Sequence, residues 1–137
     1  MKNKVIILLT LLLFVSCSQL QKNETGAEKN KVLLQEEIKS KQELIVMIEE
    51  LKNKLQLNDM ESIEQYFEDT FANRKILSEL NNIDFSQIKI VYTQPTFYKN
   101  SAKNKIAFIF IDEVRYFQFT YKLSNKNWKI VKIEDGR

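Results

Sequence analysis

The chain changes hydrophobic rhythm several times between its ends. Val5 to Val15 is apolar apart from Thr10, behind the short basic head Met1-Lys2-Asn3-Lys4. That apolar run is shorter than the roughly 20 helical residues needed to cross a hydrocarbon core, so it reads as a leader and not as a membrane span. Residues 18–30, "SQLQKNETGAEKN", are polar, contain Gly26 and hold no apolar period, which predicts a flexible tether over 17–30.

From Lys31 to Leu57 the period becomes helical. Leu34, Ile38, Ile45, Ile48 and Leu55 recur at spacings of three, four or seven, and Leu44 and Leu51 widen the stripe. Glu37 with Lys41 and Glu50 with Lys54 set opposite charges one turn apart. Two heptad seam positions are Lys41 and Lys52, which weakens a strict coiled coil and leaves two uses for this helix: packing on its own domain, or self-association through 31–57. Asn58 is the expected N-cap of a second helix, with Glu61 three residues on. Met60, Ile63, Phe67 and Phe71 would share one face, continuing past a break near Asn73 to Leu80.

After "NNID" the period falls to two. Residues 87–93 alternate and stop before Pro95, as an edge strand or a bend would. Residues 105–111, "KIAFIFI", are continuously apolar after Lys105, the mark of a central strand covered on both faces. In residues 114–123, Phe117, Phe119, Tyr121 and Leu123 alternate with Tyr116, Gln118, Thr120 and Lys122. Asp112-Glu113 and "SNKN" are the expected turns, and residues 128–133, "WKIVKI", form the last strand. These links are too short for crossover helices, so the pairing is antiparallel. The expected fold class is α+β, with N-terminal helices followed by a meander of about four strands; the expected divisions are 1–16, 17–30, 31–57 and 58–137.

The leader ends Phe14-Val15-Ser16-Cys17, and Cys17 is the only cysteine. This resembles the lipobox of bacterial lipoproteins, with Phe14 where leucine is commonest. The resemblance implies cleavage before Cys17, a diacylglycerol thioether on its sulfur and a further acyl chain on the new amino terminus. Two or more chains exceed the single-chain threshold for stable anchoring. The protein is then expected to be exported and held by its lipid to a bacterial membrane. Ser18 follows the cysteine, where an aspartate would have suggested retention at an inner membrane.

The second half, from about Asn58 to the closing "NWKIVKIEDG", resembles the NTF2-like or cystatin-like α+β domains. There a curved sheet wraps a helix, which implies binding of a partner or ligand more often than catalysis.

Composition narrows the chemistry. Losing Lys2 and Lys4 with the leader takes the formal charge from +3 to +1, which leaves no case for nucleic acid. With Cys17 lipidated no thiol remains for a disulfide. The absence of histidine removes the commonest neutral-pH base and the commonest metal ligand. No cofactor, metal site or catalytic set is expected. Glu61, Glu64, Glu68 and Asp69 read as solvated helix surface, and Asp112 and Glu113 as turn residues. Tyr116, Phe117, Phe119, Tyr121 and Trp128 are the candidate binding face, weighed against ordinary cross-strand packing. The expected function is a non-catalytic envelope interaction module. The alternatives are an NTF2-like pocket for an apolar small molecule and, after it, a hydrolase or isomerase using carboxylates and tyrosines.

Overall fold

The computed structural model describes the backbone of residues 2–137 and the side chains of residues 26–137. The expected leader 1–16 and the Cys17 thiol therefore lie outside the described side chains. The chain divides into two units, residues 1–39 and Ser40–Arg137.

The first unit is contributed by helix α1, Lys2–Gln56. Its described residues include 26–30, the end of the stretch expected as a flexible tether; they are helical and exposed. Glutamate, lysine and alanine are strong enough helix formers to carry one glycine, which costs about 1 kcal/mol. Val32, Leu33, Leu34 and Ile38 are exposed in this unit.

The second unit is α+β. It contains the end of α1 and the helices α2 (Met60–Ile63) and α3 (Phe71–Leu80), followed by a five-stranded antiparallel sheet. The strands are β1 (Lys89–Tyr92), β2 (Thr96–Tyr98), β3 (Ser101–Ile109), β4 (Val114–Ser124) and β5 (Asn127–Asp135). Their order is β1-β3-β4-β5, with β2 beside β1 on the same edge of β3. The sequence anticipates about four strands; the fifth is β2, too short to register as a period, which resumes pairing with β3 after the bend at Pro95.

The helical segments of this unit, including α1 from Ser40 on, lie on one face of the sheet. Leu44, Met47, Ile48, Leu51 and Leu55 of α1 are buried with Ile63 and Phe67, and Phe85 adds a ring beside Phe108. The sheet supplies Ile90, Ala102, Ile106, Phe108, Phe119, Tyr121, Trp128 and Ile130. Two of the heptad seam residues, Ile48 and Leu55, are thus used within the chain. Self-association through 31–57 would have to draw on its exposed apolar residues, Val32, Leu33, Leu34 and Ile38 near its start with Val46 and Leu57 further on.

The second helix differs from the expected one. Asn58 is not its cap: it adopts a φ of 55°, accepts from the Phe85 N–H and donates to Asp84 Oδ1, while Asp59 caps α2 by accepting from the Ser62 N–H. α2 runs into a 3-10 turn, Glu64–Tyr66, and the chain then extends at Phe67. Thr70 caps α3 by accepting from the Asn73 N–H, so a new helix begins where the continuous stripe would have run on. As a result Phe71 is exposed, not part of the core. The extended segment bridges Phe67 to Ile130 in parallel, and Asn73, itself buried, donates to the carbonyls of Glu68 and Ile130. This contact covers part of the β5 edge.

The turns move by small steps. The β3–β4 hairpin closes with Phe110 N–H donating to the Glu113 carbonyl, which puts Ile111-Asp112 at the tip. In the β4–β5 hairpin Asn125 and Lys126 both take positive φ, the geometry of a tight two-residue turn. A bulge beside Thr120 and Tyr121 leaves Val131 as the extra residue of β5, so that Ile130 pairs with Tyr121 and Ile133 with Phe119.

Candidate functional site

Register and burial divide the aromatic residues of β4 and β5 between two faces. Phe119 is 4% exposed, Tyr121 0% and Trp128 7%, all on the helix-covered side, with Phe117 partly buried beside them. Phe119 and Tyr121 stack with centroids 6.3 Å apart, and Phe117 meets Phe108 edge-on at 5.6 Å. Tyr116 is 48% exposed and pairs with Ala107 on the open side. The five residues named from the sequence therefore do not form one surface.

The buried polar groups of this side have partners. Tyr121 donates to Asn104 Oδ1 at 2.9 Å, and Asn104 Nδ2 donates to the Thr93 carbonyl at 3.2 Å. Burial pushes the Tyr121 hydroxyl far above its ordinary pKa. Trp128 Nε1 donates to the carbonyl and hydroxyl of Ser40, its ring meets Phe97 at 6.1 Å, and Lys41 lies over that phenyl ring. Periodicity signals neither Ser40 nor Asn104, because a lone polar residue in an amphipathic segment carries no mark of its partner.

Two tyrosine–glutamate pairs fasten α1 to what lies against it. The Tyr92 hydroxyl donates to Glu49 Oε2, Lys52 Nζ donates to Glu49 Oε1 at 3.2 Å, and the Tyr66 hydroxyl donates to Glu50 Oε2 at 2.9 Å. The hydrogen bond to Glu49 pushes Tyr92 up to about 12, and burial does the same for Tyr66, with Glu50 adding to it. Glu49 is held below the usual carboxylate range, first by the Tyr92 hydrogen bond and then by Lys52.

The acidic residues of the second helical region do not converge. Glu61, Glu64, Glu68 and Asp69 are exposed, Asp69 pairs with Arg74 at 2.7 Å, and Glu61 and Glu64 line an open groove of about 340 Å³ with Arg74. Asp112 is at the hairpin tip, and Glu113 pairs with Arg115 at 2.9 Å. Among the described residues no group of three or more Cys, Asp or Glu side chains is placed to hold a metal, and no helix is long and apolar enough to cross a membrane. Surface concavities of about 440 Å³ beside Tyr116, Asp135 and Arg137, and of about 370 Å³ beside Trp128 and Tyr66, are likewise open and of mixed polarity.

Among the described residues, no helix of the second unit packs on the other side of the sheet. Val91, Tyr98, Val114 and Tyr116 keep 40–55% of their exposure there. Lys89, Lys103, Lys105, Lys122 and Lys132 are exposed on the same side, placed by the alternation and register of the strands. No family description, curated protein or solved structure matches the chain significantly.

Proposed function

We propose that the chain is an exported bacterial lipoprotein, anchored through a lipid on Cys17, whose folded unit acts at the envelope as a non-catalytic binding module. The observation that carries the anchor is the order of basic head, apolar run, Ser16 and Cys17 within the first seventeen residues. The binding-module reading is supported by the filled inner face of the sheet and by exposed apolar residues elsewhere, Tyr116 on the sheet and Leu34 and Ile38 on α1.

A pocket for an apolar ligand behind the aromatic strand has less support, because side chains of α1 and α2 already cover Phe119 and Tyr121. The tyrosine–glutamate pairs are poorly suited to acid–base work near neutral pH, since both tyrosines hold their protons up to about 12.

Intact mass and detergent partitioning of the protein made from its own leader, against Cys17→Ala, test the anchor. Acyl mass and detergent-phase partitioning, both lost in the variant, are the expected result. Identical behaviour of the two proteins would sink the lipoprotein reading.

A further inference from the structure

The open face of the sheet combines two properties that a simply solvated face does not need. One is an excess of positive charge. Lys103 and Lys105 on β3 and Lys122 on β4 stand outward with Lys89 and Lys132, and Glu134 is the carboxylate that shares the face. Lys132 pairs with Glu134 at 2.6 Å, while Lys89, Lys103, Lys105 and Lys122 make no ion pair with any described residue. Strand spacing separates such positions by roughly 5–7 Å across and along the sheet, so their ammonium groups spread over an area and do not close on a single anion.

The other property is an apolar end. Val91, Ala107 and Tyr116 lie side by side across three strands, and Val114 pairs with Ile109 in the next row. Beyond them Ile111, at the hairpin tip, is completely exposed, with Asp112 next to it at the rim. Lysines set out over a sheet, with aliphatic and tyrosine side chains at one end, match a bilayer surface. Anionic headgroups there form a laterally extended layer, and tyrosine and aliphatic groups partition into the interface beneath it.

We infer that the open face of the sheet docks on an anionic lipid surface, with its lysines over the headgroups and Ile111, Val114 and Tyr116 in the interface. The docking belongs to the folded unit and does not require acylation of Cys17. In a lipid-anchored protein it would lay the sheet against the membrane and leave the helical side free for a partner. A soluble polyanion without apolar groups would have use for the lysines but none for a bare Ile111.

The test uses the full chain carrying Cys17→Ala, so that no lipid contributes. It measures partitioning onto phosphatidylcholine vesicles with and without phosphatidylglycerol. Residues 1–16 contribute equally to every protein compared. The expected result is tighter binding to the anionic vesicles, weakened by salt. Lys103→Gln/Lys105→Gln/Lys122→Gln should lose on the order of tenfold or more in affinity and flatten the salt dependence, since each lysine near an anionic surface contributes severalfold. Ile111→Asn should weaken binding with the salt dependence retained. Unchanged thermal melting of both variants shows that the fold is intact; if the triple variant melts early, Lys89→Gln/Lys132→Gln replaces it. Equal binding to both vesicle types, or no loss in the lysine variants, overturns the inference. So does competition by a soluble polyanion that Ile111→Asn leaves unaltered. None of these outcomes bears on acyl mass, so failure here and failure of the lipid anchor are told apart.

Discussion

Tyr121 shows how one residue is committed to structure. Its ring is wholly buried against the helices, and its hydroxyl is satisfied by Asn104, which in turn reaches the Thr93 carbonyl at the end of β1. Tyr121→Phe keeps the ring but leaves the Asn104 oxygen buried without a donor. The expected cost is about 1–3 kcal/mol by denaturant unfolding, and a cost near zero would mean that water or a rotated Asn104 replaces the bond. Tyr66 and Tyr92 make a second residue-scale prediction. Their protonated forms are favoured in the fold, so their contribution is complete below the ordinary tyrosine pKa of about 10 and is lost as pH rises toward about 12. Stability should fall through that window, and less steeply in Tyr92→Phe, which has already lost the Glu49 bond. Parallel pH curves for the two proteins would argue against this pairing. Residue identity suggested buried aromatics here, but not which hydroxyl meets which acceptor, because partners up to 43 positions apart meet only through the fold.

At the scale of elements, α1 does two different things along its length. Its end, from Leu44 to Leu55, is as buried as the sheet it covers, whereas Leu34 is 58% and Ile38 59% exposed. Ile48→Ala should therefore destabilise by about 2–5 kcal/mol, the range for deleting buried methyl groups, while Leu34→Ala and Ile38→Ala should each stay within about 0.5 kcal/mol. Comparable losses at all three sites would mean that the first part of the helix is also packed. The stripe in the sequence reads alike over both parts, because periodicity records that a face is apolar and not what covers it. The interruption at Phe67 was similarly hidden: the helical spacing of Met60, Ile63, Phe67 and Phe71 continues through it. What ends the helix is the capping of α3 by Thr70 and the hold of Asn73 on the Ile130 carbonyl. The bulge in β5 was hidden too: residues 128–133 read as one strand, and only the pairing shows Val131 as the extra residue that sets Ile133 opposite Phe119.

At the largest scale, the second unit is two-layered, and one face of its sheet bears none of that unit's helices. That face holds the lysines and the apolar end, and it is where binding to an anionic surface would be read. The aromatic set singled out in the sequence is mostly on the other face, filling the core. Amino-acid order alone determined the change from helical to strand period, the α+β class and the antiparallel pairing, because each is written in spacings of a few residues. Tertiary structure alone decided which apolar stripe is core and which stays exposed, where the second helix breaks, and which lysines share a face. Those outcomes depend on contacts between residues far apart in the chain, and local pattern cannot encode them.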